Sequence, residues 1–119
     1  MNNCEVSIVG AGPGGCAAAL FLANLGISST LIDKASFPRD KVCGDGISGW
    51  VLNILNKLDP SINYDFSKKN YQLPSWGARF VAPNNRILDV PFKVEDAVND
   101  NLPAGFIAKR LDFDYFLVN

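Results

Sequence analysis

The motif Gly10-x-Gly12-x-x-Gly15 constrains the fold of this 119-residue chain more than any other feature of its sequence. A short apolar run at residues 5–9 precedes it, and small apolar residues suited to a helix follow it as far as Leu25. A second strand is expected over Ser29–Ile32, with β-branched residues at Thr30 and Ile32, and it ends at Asp33. This order predicts a β-α-β unit over residues 4–33. Both strands are continuously apolar, which is typical of a parallel sheet covered on both faces.

Each part of this unit suits a dinucleotide. Gly10 permits a sharp turn after the strand, Gly12 leaves the backbone bare for a pyrophosphate, and Gly15 lets the helix lie close to the strand. The helix N-terminus, at Pro13 and Gly14, offers N–H groups and partial positive charge to phosphates. Asp33 is placed to accept hydrogen bonds from a ribose. The acid suits the free 2′-hydroxyl of FAD or NAD rather than the phosphate of NADP, and the glycines do not separate those two cofactors.

Composition narrows the function classes. Hydrophobic residues make up 48% and charged residues 19% of the chain, which predicts a globular domain or part of one. The net charge of −1 argues against nucleic-acid binding. Three scattered cysteines and no histidine argue against a metal site or a disulfide framework, and they favour a reducing, cytoplasmic environment. The apolar run from residue 16 to 25 is too short to span a bilayer, and peripheral membrane contact stays open.

Beyond the β-α-β unit, local patterns predict a loop over residues 34–49 and a helix from the N-cap Ser48 to about Leu58, stopped by Pro60. Residues 61–75 fit no single element. A β-hairpin is predicted from Trp76 to Phe92, so that the helix and hairpin occupy residues 50–92. A loop or short helical turn is expected at 93–104, and a strand and the start of a helix at 105–119. The predicted fold class is α/β: a Rossmann-like unit with an added hairpin, as the N-terminal portion of a larger protein.

Two further segments extend the pattern. Phe37-Pro-Arg-Asp-Lys-Val-Cys-Gly-Asp-Gly-Ile-Ser48 is similar to a block written F-P-R-x-K-x-C-G-x-G-[ILV]-S, and Arg110–Leu117 is similar to R-x-x-F-D-x-x-L. Together with residues 6–33, these blocks resemble the FAD-dependent oxidoreductases of the geranylgeranyl reductase family, relatives of flavin-dependent monooxygenases and halogenases. Asp33 departs from that pattern, in which glutamate is more common at this position.

The resemblance implies FAD as the cofactor, with NAD(P)H as a candidate electron donor and an isoprenoid as the small-molecule substrate. The implied reaction is the reduction of carbon–carbon double bonds. The alternatives are an FAD-dependent monooxygenase and a non-catalytic nucleotide-binding fragment. A family member continues for a few hundred residues more, so the isolated chain is expected to be inactive and could associate into oligomers.

The residues expected to contact the cofactor come from the glycine motif, from the end of the second strand, and from the two family blocks. They are Gly10, Gly12, Pro13, Gly14, Gly15, Asp33, Lys34, Arg39, Lys41, Cys43, Gly44 and Arg110.

Other residues are assigned to chemistry or to packing. Cys43 is the one candidate for a catalytic role, because a thiol beside basic residues can have a lowered pKa; the alternative is a small residue that fills space. Packing roles are expected for Cys4, Cys16, Trp50 and Trp76. Phe113 and Leu117 are expected on the buried face of the last helix.

Overall fold

The computed structural model describes residues 4–92 and 103–119. Within these residues the chain forms seven strands and four helices. Their order is β1 (Val6–Val9), α1 (Pro13–Asn24), β2 (Ser29–Ile32), β3 (Gly46–Ile47), α2 (Gly49–Leu58), α3 (Pro60–Ser67), β4 (Gln72–Ser75), β5 (Gly77–Val81), β6 (Ile87–Pro91), β7 (Gly105–Ala108) and α4 (Arg110–Val118). Most of the predicted interval 93–104 lies outside the described residues.

The predicted β-α-β unit is confirmed. β1 and β2 pair in parallel, with Val6 opposite Ser29 and Val9 opposite Ile32. Helix α1 connects them and packs on their sheet. The expectation that the sheet is covered on both faces was wrong for the part of the chain that is described. Alternate residues point away from the covered face, so that Val9 is 86% and Ile32 50% exposed.

A second sheet forms from three strands that are distant in sequence. β7 is central and pairs antiparallel with β3 on one side and β4 on the other. β3 lies within the predicted loop 34–49. β4 contains Pro74, which has no N–H to donate and is therefore suited to the edge position that β4 occupies.

Helices α2 and α3 are separated by the single residue Asp59. The prediction that Pro60 ends α2 is confirmed, because α2 ends at Leu58. Pro60 is also the first residue of α3, where its missing N–H has no intrahelical partner to lose. The Asp59 carboxylate accepts a 2.8 Å hydrogen bond from the Ser61 N–H and caps the new helix.

The hydrophobic core lies where α2, α3 and α4 pack on the three-stranded sheet. Phe66 is fully buried at its centre, with ring centroids 5.3 Å from those of Phe106 and Phe113 and 5.2 Å from that of Phe116. Phe113 is buried and Leu117 packs against the core as expected. This packing fixes the start of α4, and therefore Arg110, relative to the rest of the chain.

The predicted hairpin is present as β5 and β6, and Asn85 adopts a positive φ of 61° at its turn. Nearly all residues of the two strands are exposed. Two packing predictions were wrong: Trp50 is 80% and Trp76 55% exposed. Cys4 is exposed as well, because it precedes β1 and lies outside the packed layers, whereas Cys16 is buried as expected.

A candidate dinucleotide-binding site

The site begins at the loop between β1 and α1. Gly10 has a φ of +104°, a conformation that favours glycine, and its N–H donates a 2.6 Å hydrogen bond to the Ile32 carbonyl. Gly12 is the N-cap of α1 and provides no side-chain cap. Pro13 at the first helical position has no N–H. The N–H groups of Gly14 and Gly15 therefore form the donor surface at this helix end.

Gly15 is required by packing rather than by a ligand. A Cβ atom built at Gly15 would overlap the Gly10 carbonyl oxygen and lie 3.0 Å from the Gly10 carbonyl carbon. A Cβ built at Gly14 has no atom within 4 Å. The helix can thus approach β1 closely only because residue 15 has no side chain.

The Asp33 carboxylate fastens the glycine loop to the end of β2. Its Oδ2 accepts a 2.7 Å hydrogen bond from the Ala11 N–H, and its Oδ1 accepts a 2.9 Å bond from the Ala35 N–H. These two donors, Ala35 first, hold the pKa of Asp33 below its usual range. Each carboxylate oxygen has a second lone pair, so the group can still accept from a ribose hydroxyl.

Two arginines from separate segments converge on Gly12. A Cβ atom built at Gly12 would lie 3.6 Å from Nη2 of Arg39 and 3.6 Å from Nη2 of Arg110. Arg39 lies in the segment that follows β2, and Arg110 begins α4. The structure therefore brings both sequence-predicted arginines to the bare backbone of the glycine loop.

The fully buried carboxylate of Asp114 joins the two guanidinium groups. Its Oδ2 accepts from Arg39 Nη1 at 2.7 Å and from Arg110 Nη2 at 2.8 Å, and its Oδ1 accepts from Arg110 Nε at 2.6 Å. The Asp114 bond raises the pKa of Arg110, which stays charged. Asp114 is not among the residues that the sequence predicts to form the site. Its spacing of four residues from Arg110 on one helix was the available signal.

Cys43 connects this arginine pair to a neighbouring cavity. The thiol is exposed, and its pKa is lowered first by the Asp45 N–H and then by the Arg110 guanidinium. The next residue, Gly44, lines the cavity. Lys34 and Lys41 are also exposed, and the structure places neither side chain in the arginine cluster.

The cavity has a volume of about 730 Å³, which is in the range of small-molecule sites. It lies between β3, the start of α2, the hairpin and β7. Its wall includes backbone at Gly44 and Gly46, apolar side chains such as Phe106, and the exposed Trp50. Asn63 also lines it, and the buried Asn63 Oδ1 has no hydrogen-bond partner among the described residues.

Residues 4–92 and 103–119 contain no group of three or more histidine, cysteine, aspartate or glutamate side chains arranged to bind a metal ion. None of the helices in this part of the chain has the length and hydrophobicity needed to cross a membrane.

Comparison with known proteins identifies the cofactor class. Residues 3–60 match the family model described as an FAD binding domain. The menaquinone reductase of Mycobacterium tuberculosis is 46% identical over 57 residues, which are 48% of this chain and 14% of the relative. A digeranylgeranylglycerophospholipid reductase of Methanothrix thermoacetophila is 33% identical over 112 residues, which are 93% of this chain and 25% of the relative.

Solved structures agree with these matches. A flavoprotein/dehydrogenase from Cytophaga hutchinsonii has a TM-score of 0.75 and 27% identity over 97% of this chain and 27% of its own. The flavin-dependent halogenase CmlS has a TM-score of 0.72 and 26% identity over 99% of this chain and 20% of its own. The chain thus spans about a quarter or less of the proteins it matches. FAD, rather than NAD, is the cofactor of this domain.

Proposed function

We propose that this chain serves the reduction of carbon–carbon double bonds in an isoprenoid lipid. In this proposal it carries the FAD-binding part of a flavin-dependent oxidoreductase related to the geranylgeranyl reductases. The observation that carries this substrate class is the similarity to a digeranylgeranylglycerophospholipid reductase, which extends over 93% of the chain. NAD(P)H is the proposed electron donor of the whole protein.

In this proposal the glycine loop holds the pyrophosphate of FAD. Gly10 shapes the turn, Pro13 starts the helix, and the N–H groups of Gly14 and Gly15 donate to the phosphates. The two guanidinium groups near Gly12 face the same position and supply charge-assisted hydrogen bonds. Asp33 accepts from the adenosine ribose while it holds the loop through Ala11.

The segment from Lys41 to Gly46 lies, in this proposal, along the flavin end of the cofactor. FAD supplies the hydride when it is bound and reduced. Gly44 and Gly46 let backbone approach a flat ring, and Lys41 adds positive charge beside it. Cys43 packs next to the ring, where the Arg110 guanidinium stabilises its thiolate form. Apolar walls around Phe106 exclude water from the reacting carbon atoms.

The reaction is tested on the whole protein loaded with FAD. Chemically reduced enzyme is incubated without oxygen with a lipid that carries geranylgeranyl chains, and the products are analysed by mass spectrometry. The proposal predicts a gain of two hydrogens for each double bond reduced. An unchanged lipid, with flavin that stays reduced, would contradict it.

The cofactor position is tested separately by Gly12→Val. The first side-chain carbon can be accommodated, but the methyl groups beyond it would enter the space that the arginines face, so FAD uptake should be lost. Lys57→Ala, an exposed change on α2, is the matched control and should leave uptake unchanged. Full FAD binding by Gly12→Val would exclude the proposed phosphate position.

A flavin-dependent monooxygenase is the second candidate, and the similarity of fold to the halogenase CmlS favours it. The same reduced enzyme distinguishes the two when it is mixed with air. Oxygen consumption coupled to an oxygenated or halogenated product would support this candidate. Double-bond reduction that proceeds without oxygen would support the reductase.

A further inference from the structure

We propose that Asp114 is a positioning residue of the FAD site, because it holds the guanidinium groups of Arg39 and Arg110 at Gly12, where they meet the pyrophosphate. The inference rests on the proposed position of the cofactor at Gly12. It does not depend on which reaction the whole protein catalyses.

The geometry of Asp114 suits this role. Its carboxylate is fully buried, and a buried carboxylate requires ionic partners or hydrogen bonds. Arg110 meets it side-on through Nε and Nη2, and Arg39 meets it through Nη1. Both oxygens are occupied: two bonds hold the Arg110 guanidinium in a fixed plane, and one bond from Nη1 anchors that of Arg39.

The same two guanidinium groups lie beside the glycine loop. Nη2 of each arginine lies 3.6 Å from the position a Gly12 Cβ would take. The Phe37 ring supports Arg39 from the side, with its centroid 4.9 Å from the guanidinium carbon. An arginine held in place before the ligand arrives loses little rotamer entropy when it binds, which strengthens binding.

Asp114 could act as a counter-charge or as an anchor for the arginines, and these two roles predict opposite changes in ligand affinity when its charge is removed. Four charged groups surround the loop: Asp33, Arg39, Arg110 and Asp114, and their formal charges sum to zero. Neutralising Asp114 makes the site more positive, which by electrostatics alone would tighten the binding of an anion. Loss of the arginine anchor would weaken it. The sign of the change therefore separates a positioning role from a simple counter-charge.

The experiment measures ADP binding to the 119-residue chain by isothermal titration calorimetry, with ADP as the probe of the pyrophosphate site. Asp114→Asn should raise the dissociation constant about tenfold or more, the loss expected for charge-assisted hydrogen bonds. Asp112→Asn removes the same charge from the same helix. Its carboxylate lies near Tyr71, whose pKa it helps to raise, and this control should leave ADP affinity unchanged.

A mutant cycle, in which the two arginine substitutions are made together, distinguishes positioning from general stabilisation. In a background of Arg39→Ala and Arg110→Ala, Asp114→Asn should have no further effect on the ADP dissociation constant. A loss of affinity as large as in the wild-type background would overturn the proposal, as would unchanged or tighter binding by the single variant. A fall in thermal midpoint and stoichiometry with an unchanged dissociation constant would also overturn it, because that is the signature of a purely structural residue.

Two further outcomes are decisive. If Asp114→Asn does not fold, Arg39→Lys takes its place, because lysine keeps the charge but cannot contact Asp114 and the Gly12 region together. Arg39→Lys should weaken ADP binding several-fold. Unchanged affinity of this variant would overturn the inference. Failure of the wild-type chain to bind ADP would remove the phosphate position and the inference with it. Failure of lipid reduction alone would leave the inference standing.

Discussion

Gly15→Ala should destabilise the chain although it adds a single methyl group. That methyl group would overlap the Gly10 carbonyl oxygen and lie 3.0 Å from the Gly10 carbonyl carbon, with Ile8 Cγ2 at 3.4 Å. The atoms it meets first belong to the backbone, so no rotamer change can relieve the contact. Helix α1 must move away from β1, and the loop held by the Gly10–Ile32 hydrogen bond must shift with it.

The added methyl group should lower the free energy of unfolding by about 3 kcal/mol, the upper end of the values measured for overpacked sites. The better helix propensity of alanine offsets this by up to about 1 kcal/mol, which leaves a net loss of about 2 kcal/mol. A chain of this size has a total stability on the order of 10 kcal/mol, so the variant should still fold. Its thermal midpoint should fall by roughly 10 °C.

Thermal unfolding followed by far-ultraviolet circular dichroism measures this change, and Gly14→Ala is the matched control. It makes the same substitution one residue earlier in the same helical turn, where a Cβ has no atom within 4 Å. The control should unfold at the same temperature or slightly higher. Equal thermal midpoints for the two variants would refute the packing argument for Gly15.

Three further predictions concern titration, reactivity and turnover. The N–H groups of Ala35 and Ala11 lower the pKa of Asp33 in the folded state. The ionised carboxylate therefore stabilises the fold fully above about pH 4, and this stabilisation is lost as the pH falls through the folded-state pKa. The drop in thermal midpoint on acidification should be smaller in Asp33→Asn than in the wild-type chain. In a Cys4→Ser background, the alkylation rate of Cys43 should rise at a lower pH than for an ordinary thiol, and Arg110→Gln should move that rise to higher pH. The isolated chain with added reduced FAD should give no lipid product by mass spectrometry, and steady turnover would contradict this.

The β-α-β unit was predictable because every signal for it is local. The strand lengths, the glycine spacing and the acid at the end of β2 all lie within residues 4–33. The chain between residues 61 and 75 was not predictable in the same way. The sequence marks Pro60 as the end of a helix, but Pro60 also begins α3. Pro74 is unusual in a strand, so the pattern does not predict the edge strand β4.

The ionic cluster around Asp114 could not be predicted from the sequence. An arginine and an aspartate four residues apart are common on exposed helix faces, where they contribute little to stability. What makes this pair different is burial and a third partner, Arg39, which is 75 residues away along the chain. Neither property can be read from spacing, because both arise when α4 packs on the core through Phe113.

The same cluster explains how the three sequence blocks form a single site. The glycine loop supplies bare backbone at Gly12, the second block supplies Arg39, and the third supplies Arg110 together with the carboxylate that holds both arginines. Packing of Phe113 against Phe66 fixes the helix that carries Asp114, so a change in the core would move the guanidinium groups that face the glycine loop. Cofactor affinity in this chain should therefore respond to the packing of α4 as well as to the residues that face the phosphates.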